Sequence, residues 1–116
     1  MQDNNCIFCK IAREEIPAEI LYQDELAIAF RDIHPVTPVH ILIIPRKHIG
    51  SVNQMEASDE AILGHLFTVA HHLAAENEID QSGYRLAVNT GPDAGQSVFH
   101  LHMHLIGGRR MPFRFE

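Results

Sequence analysis

A short alternation near the C-terminus restricts the fold of this chain more than any other feature. From His100 to His104 every second residue is a histidine, and the residues between and after them are apolar. Successive side chains on a β-strand point to opposite faces, so a period of two predicts a strand. We expect this strand over 98–106, with the histidines on one face and Leu101, Met103 and Leu105 packed beneath a helix on the other.

The rest of the chain predicts a small α+β domain. Ser58 is expected to cap one long helix, because Asp59 and Glu60 follow it and apolar residues then recur at helical spacing as far as about Glu78. A short helix is expected over 6–15, and strands over 20–23, 26–32, 40–44 and 84–89. Since alternating βαβ units are absent, we predict one domain over 1–116 with a mainly antiparallel five-stranded sheet.

Composition excludes two classes of partner and suggests a compartment. The 116 residues carry a net charge of −6, whereas a nucleic-acid surface requires clustered lysine and arginine. No apolar run approaches the roughly 20 residues that span a bilayer. The polar N-terminus has no apolar signal core, so we expect a cytoplasmic protein whose two cysteines do not form a structural disulfide.

Three interpretations are open for the row of histidines. Neighbours in a strand row lie about 6.6 Å apart, so convergence of all three on one metal ion would strain the strand. The imidazoles could instead be structural and satisfied by hydrogen bonds. The third interpretation is catalytic, since a neutral imidazole is a nucleophile near pH 7 and also transfers protons. A loop with Gly91, Gly95, Gln96 and Ser97 precedes the row and is typical of an anion-binding turn.

Cys6 and Cys9 form a Cys-x-x-Cys pair near the N-terminus. Two thiolates at this spacing are half of a zinc site. Two buried, unreactive thiols are the alternative, and the spacing alone does not separate the two.

The sequence is similar to the histidine-triad (HIT) superfamily, whose signature is His-x-His-x-His followed by apolar residues. Here the signature is His100-Leu-His102-Met-His104-Leu-Ile, and the stretches Asn89–Ser97 and Gly107-Gly108-Arg109 around it resemble the Hint branch, the purine nucleoside phosphoramidases. The resemblance extends over nearly the whole chain. Other matching segments are Phe8-Cys-Lys-Ile, Glu15-Ile-Pro-Ala, Ala29-Phe-Arg-Asp-Ile33, Ile44-Pro-Arg-Lys-His-Ile49 and Gly64-His-Leu.

The resemblance implies a nucleotide hydrolase that forms a nucleotidyl-histidine at His102. The substrates would be adenosine or guanosine phosphoramidates, and the product a purine nucleoside monophosphate. His40 is expected to support the other nitrogen of His102, directly or through the neighbouring backbone. Protons and charge would be managed by Ser97, His100 and His104. The remaining nucleotide contacts are expected from Asp32 on the ribose, from Ile11, Ile16, Phe30 and Ile33 on the base, and from Asn89, Gly95, Ser97 and His104 on the α-phosphate.

The resemblance also implies a structural zinc ion at Cys6, Cys9, His48 and His100, and a homodimer that extends the sheet. Catalysis itself would need no cofactor. One departure is the absence of tryptophan, which many Hint proteins carry near the C-terminus; Phe113 and Phe115 are the aromatic candidates for that place. Two rival functions are a diadenosine-polyphosphate hydrolase of another HIT branch and a non-catalytic nucleotide- or zinc-binding module.

Overall fold

The computed structural model describes residues 5–112, and within them it contains five strands and two α-helices. In chain order the elements are α1 (Ile7–Ala12), β1 (Ile20–Gln23), β2 (Ala27–Arg31), β3 (Val39–Pro45), α2 (Glu60–Glu76), β4 (Tyr84–Ala87) and β5 (Met103–Gly107). Every pairing is antiparallel, in the order β1-β2-β3-β5-β4. The predicted α+β class with its antiparallel sheet is therefore confirmed, whereas Phe113 and Phe115 lie outside the described residues.

The dense apolar sequence of β3 follows from its position at the centre of the sheet. Ile41 and Ile43 lie in the core beneath α2, and Leu42 and Ile44 lie in a second core beneath α1. A strand that is buried on both faces has no need for alternation. Because β3 separates the two cores, side chains at its even positions face α1, and this face carries the histidines.

The apolar residues of the histidine alternation pack as predicted. Leu101, Met103 and Leu105 all belong to the core beneath α2. The predicted strand over 98–106 is wrong at its start, however, because β5 begins only at Met103. Its partner β3 ends at Pro45, which has no N–H with which to continue the ladder. The segment that carries His100 and His102 is therefore irregular.

The start of α2 differs from the prediction. Ser58 is exposed in a 3₁₀ turn over Ala57–Asp59 and does not cap the helix, which begins at Glu60. The buried carboxylate of Asp59 instead accepts the Glu56 N–H at 2.9 Å and pairs with Lys47 Nζ at 2.5 Å. Burial of the Asp59 carboxylate beside Lys47 and the Glu56 N–H outweighs the local preference of Ser58 for capping the helix.

Both helices end earlier than predicted, through residues with positive φ. Glu14 follows α1 at φ 60°, and Glu78 follows α2 at φ 58°. After Glu78, the N–H of Ile79 bonds to the Ala74 carbonyl at 3.0 Å and its side chain returns to the core, which is a Schellman ending. Among residues 5–112, neither helix has both the length and the apolar character that crossing a bilayer requires.

Asp24 connects the β1–β2 turn to α2. Its carboxylate accepts Tyr22 Oη at 2.6 Å, His65 Nε2 at 2.5 Å, and the N–H groups of Leu26 and Ala27 at 2.8 Å each. Burial raises the pKa of Asp24, but these hydrogen bonds outweigh it and hold the pKa well below its usual range. His65 is thus a half-buried structural residue.

We expect Asp24→Asn to destabilise the fold by about 2 kcal/mol at pH 7, because it removes charged hydrogen bonds. A carboxyl whose pKa is lower in the folded state contributes its stability above its unfolded pKa, about 3.9, and loses it as the pH falls. Urea unfolding between pH 7 and pH 2.5 should therefore show a smaller loss for Asp24→Asn than for the wild type. Parallel curves for the two proteins would contradict this prediction.

Candidate functional site

The histidine face of the sheet forms the floor of a groove of about 500 Å³ between α1, the β2–β3 loop and the segment before β5. The expected base and ribose residues Ile11, Ile16, Phe30, Asp32 and Ile33 all line this groove. So do the expected polar residues His40, Ser97, His102 and His104. Three expected site residues, Asn89, Gly95 and His100, are not among its lining residues.

The hydrogen bond of His102 orients one ring nitrogen into this groove. Its Nδ1 lies 2.7 Å from the main-chain carbonyl oxygen of His100. A carbonyl can only accept, so Nδ1 carries the proton and Nε2 keeps its lone pair. The ring is buried and contacts the His104 ring at a centroid distance of 5.1 Å. In the neutral ring, the unprotonated nitrogen is therefore Nε2, as a nucleophile at the groove requires.

A chain of hydrogen bonds gives His104 the opposite tautomer to that of His102. The Val36 N–H donates to His40 Nδ1 at 3.1 Å, so the proton of His40 lies on Nε2. That nitrogen is 2.9 Å from His104 Nδ1 and 3.3 Å from Asp32 Oδ2. His104 Nδ1 is therefore an acceptor, and its Nε2 is left as a donor. Burial, followed by the neighbouring His102 and His40, lowers the pKa of His104 to about 4.

These hydrogen bonds do not show the direct support of His102, which was one of the two routes predicted for His40. The hydrogen-bond partner of His40 is His104, while the nitrogen of His102 that it was expected to support is bound by the His100 carbonyl. Two adjacent imidazoles consequently act in different ways, since His102 offers a lone pair and His104 offers a proton. A phosphate held between them would be attacked by one and hydrogen-bonded by the other.

Asp32, His40 and His104 also bring three potential metal ligands together. Their hydrogen bonds argue against that use. His40 faces the other two residues through Nε2, which carries the proton as long as Val36 donates to Nδ1. A metal ion here would have to displace that proton and break the Val36 bond, so this group is better described as a hydrogen-bonded chain.

A second group of donor atoms, the four-donor cluster, consists of Cys6, Cys9, His48 and His100. His100 Nδ1 lies 3.3 Å from Cys6 Sγ, 3.5 Å from Cys9 Sγ and 3.2 Å from His48 Nδ1, and Cys9 Sγ lies 3.3 Å from His48 Nδ1. Tetrahedral zinc with ordinary bond lengths places two nitrogens about 3.3 Å apart and a nitrogen and a sulfur about 3.6 Å apart. The four residues therefore fit a metal ion.

The state of His100 supports the same conclusion. Its Nε2 lies 2.8 Å from the Pro45 carbonyl oxygen, to which it must donate, so the lone pair on Nδ1 points toward the two sulfurs. Burial lowers the pKa of His100 to about 4. A neutral imidazole whose free nitrogen is fixed by a carbonyl on the far side is the usual form of a metal-bound histidine. His100 thus presents the unprotonated nitrogen that a metal ligand requires.

The loop before β5 is held by a side chain that the sequence analysis placed in an anion-binding turn. Gln96 is buried, accepts the Gly91 N–H at 2.9 Å, and donates to the carbonyls of Gly50 at 2.8 Å and Val98 at 3.1 Å. Gly91 and Gly95 both have φ of 83°, which favours glycine. Gln96 therefore fixes the loop, and Ser97 is left exposed at the groove.

Sequence reasoning missed several residues that line the groove. Phe8 is the most notable, since its ring contacts both Phe30 and His102, and a phenylalanine in an amphipathic segment signals only core. His34 is exposed and also lines the groove. His71 and His72 are exposed on α2, away from it.

Known proteins resemble this chain in both sequence and fold. A family model described as HIT domain matches residues 13–111. The purine nucleoside phosphoramidase of Escherichia coli K12 is 53% identical over 103 residues, covering 89% of this chain and 87% of that protein. An uncharacterised HIT-like protein of Synechococcus elongatus is 50% identical over 105 residues, covering 90% and 91%.

Solved structures agree with these matches. A HIT family hydrolase from Clostridium thermocellum has a TM-score of 0.96 and 45% identity, covering 99% of this chain and all of that one. A HIT family hydrolase from Legionella pneumophila has a TM-score of 0.92 and 45% identity, covering 94% and 97%. Together with the histidine face, these matches show that the chain belongs to the HIT family.

Proposed function

We propose that this protein hydrolyses the phosphorus–nitrogen bond of purine nucleoside phosphoramidates through a nucleotidyl intermediate on His102. The observation that carries the proposal is the hydrogen bond from His102 Nδ1 to the His100 carbonyl, which leaves Nε2 unprotonated at the groove. The E. coli relative that is called a purine nucleoside phosphoramidase supports this choice of substrate.

The reaction would proceed by two displacements at the α-phosphorus. In the first, the Nε2 lone pair forms a bond to phosphorus, the phosphorus–nitrogen bond breaks, and the amine leaves with a proton. In the second, water attacks phosphorus, releases the nucleoside monophosphate and restores His102. The His104 Nε2 proton and the Ser97 hydroxyl are the donors available to the phosphate oxygens and the leaving nitrogen.

The groove walls suit the remainder of a nucleotide. Asp32 Oδ1 accepts the His34 N–H at 2.8 Å, and the carboxylate retains lone pairs for the two ribose hydroxyls. Apolar side chains dominate the far end of the groove, where a purine ring would be enclosed. Asn89 and Gly95 remain proposed phosphate contacts, although neither lines the groove.

We further propose that the four-donor cluster holds one structural zinc ion. Two thiolates and two imidazoles are ligands that zinc prefers, and a closed site with four protein ligands has no position for substrate. A reducing cytoplasmic setting, which the sequence predicts, would keep both thiols available. When bound, the ion would tie α1 to the segment before β5; catalysis would be carried out by the histidines of the groove.

The direct test is hydrolysis of adenosine 5′-phosphoramidate in parallel with diadenosine polyphosphates. We expect release of adenosine monophosphate from the phosphoramidate with the larger kcat/KM. Preference for the dinucleotides would favour another HIT branch. Tight binding of nucleoside monophosphate without turnover of either substrate would favour a binding module.

We also propose a homodimer built on α2 and β4. Within residues 5–112, β4 pairs with β5 on one side only, and Phe67 on the outer face of α2 is 58% exposed. Sedimentation equilibrium at micromolar concentration should give about twice the chain mass of 13.1 kDa. Phe67→Asp should shift the protein toward the monomer, and Val52→Asp, on another exposed surface, should not. A wild-type monomer at these concentrations would contradict the proposal.

A further inference from the structure

Phe8 has no polar atom for chemistry, yet it lies against the centre of the candidate site. Its ring is buried and contacts the His102 ring at a centroid distance of 5.1 Å and an interplanar angle of 90°. It also contacts Phe30 at 5.4 Å and His100 at 6.0 Å, both edge to face. One apolar ring therefore touches the nucleophile, a groove wall and a member of the four-donor cluster.

We propose that Phe8 is a positioning residue that fixes the plane of the His102 imidazole and makes this plane depend on the four-donor cluster. This inference rests on the proposed function for its kinetic consequences, whereas its structural consequence stands alone. A single hydrogen bond at Nδ1 holds one edge of the imidazole, but the terminal torsion of a histidine is intrinsically broad. The direction of the Nε2 lone pair must be set by what packs against the ring.

Two aromatic neighbours contribute to that packing within the described residues. His104 lies against His102 at an interplanar angle of 62°, and Phe8 lies perpendicular to it. Perpendicular aromatic contacts are favourable because the positive edge of one ring meets the negative face of the other. An aliphatic side chain of similar volume would fill the space without this preference. The aromatic ring of Phe8, and not only its bulk, is thus expected to matter.

The position of Phe8 in α1 supplies the link to the cluster. Cys6 is the N-cap of the six-residue helix α1, Cys9 lies in its first turn beside Phe8, and the Cys9 N–H donates to Cys6 Sγ at 3.3 Å. Both sulfurs contact His100 Nδ1, and the His100 carbonyl accepts the hydrogen bond from His102 Nδ1. Loss of the cluster would release α1 and His100 together, and both contacts that orient His102 would be weakened. The other end of α1 would stay attached through Arg46 Nη1 and the Ala12 carbonyl.

Phe8→Leu is the first test, with Phe30→Leu as its matched control, because both remove one ring from the same groove. Misplacing a reacting group by about 1 Å can cost on the order of 100-fold, so we expect Phe8→Leu to lower kcat by at least about tenfold with KM within about threefold. Phe30 packs edge to face on Phe8 and lines the groove, so Phe30→Leu should mainly raise KM. Phe8→Tyr, which keeps the ring, should retain kcat within about threefold of wild type.

The second readout is independent of turnover. Nitrogen NMR of the His102 ring should show one tautomer with the proton on Nδ1 in the zinc-loaded wild type, and mixed or exchanging tautomers after chelation. In Phe8→Leu the mixture should be present even with zinc. Thermal unfolding with added zinc checks that each variant is folded. If Phe8→Leu does not fold, the kcat and the His102 spectrum of Phe8→Tyr still test whether the aromatic ring orients His102.

The outcomes separate this inference from the proposed function. An unchanged His102 spectrum in Phe8→Leu, or equal losses of kcat in Phe8→Leu and Phe30→Leu, would overturn the positioning role. A wild type that does not hydrolyse phosphoramidates would instead overturn the proposed function, and the NMR comparison would still decide the role of Phe8. A His102 spectrum that does not respond to chelation would overturn the link to the cluster.

Discussion

Replacing His102 by alanine is expected to lower phosphoramidate hydrolysis by several orders of magnitude while changing nucleoside monophosphate affinity about tenfold or less. The asymmetry follows from the geometry. His102 offers a single nitrogen to the groove, so binding loses one polar contact among many. The chemistry, however, loses the nitrogen on which we propose that the covalent intermediate forms. Single-turnover kinetics and calorimetric titration with adenosine monophosphate measure the two effects separately.

His72→Ala is the control for this experiment. His72 is exposed on α2, where it pairs with Glu76 at 3.0 Å and contacts the Tyr22 ring, away from the groove. Its removal should leave turnover near the wild-type rate. Rapid acid-free quenching of the wild type with a labelled phosphoramidate should also trap a base-stable phosphorus–nitrogen adduct on the peptide that contains His102. Turnover of His102→Ala within tenfold of wild type would exclude the mechanism.

The sequence predicted those parts of the fold that depend on local periodicity. The predicted bounds of β1 agree with the structure. So does the prediction that the apolar residues between the histidines face the core beneath α2. The start of β5 was not predictable in this way, because a strand exists only where a partner continues the ladder. Pro45 ends β3 on the neighbouring strand, about 55 residues away in sequence. Side-chain alternation therefore persists through His100 and His102 after regular pairing has stopped.

In the candidate site, too, some features could be predicted from the sequence and others could not. The motif residues were identified from the chain, but their hydrogen-bond partners depend on which main-chain carbonyl lies beside each ring. His100 and Pro45 carbonyls fix the tautomers of His102 and His100, and Val36 fixes that of His40. Such contacts join segments that are distant in sequence, and no spacing rule encodes them. For the same reason the sequence did not indicate that His40 is hydrogen-bonded to His104.

The four-donor cluster could be predicted from the sequence only in part. Cys6 and Cys9 form a recognisable local pair, whereas His48 and His100 approach them over 39 and 94 residues. Only the resemblance to HIT proteins connected all four before the structure did. The distances between donor atoms then add something that no motif contains, since they match the edges of a zinc tetrahedron.

Protein purified without chelator is therefore expected to contain about one zinc ion per chain, and removal of this ion should lower the unfolding temperature by on the order of 10 °C. Cys9 and His100 are fully buried, and the Nδ1 atoms of His48 and His100 lie 3.2 Å apart. Without a cation these buried donor atoms are left to weak thiol–imidazole hydrogen bonds. The stability lost is the binding energy that folding would otherwise gain from the ion.

Metal analysis and calorimetry with and without chelator measure this effect, and a variant with both Cys6→Ser and Cys9→Ser is the matched control. That variant should already unfold at the lower temperature and should not respond to chelator, because the chain contains no other cysteine. If the wild type instead contained no zinc, showed no stabilisation on adding it and had two freely titratable thiols, the cluster would be a set of buried thiols and imidazoles. Its agreement with tetrahedral spacing would then reflect packing alone.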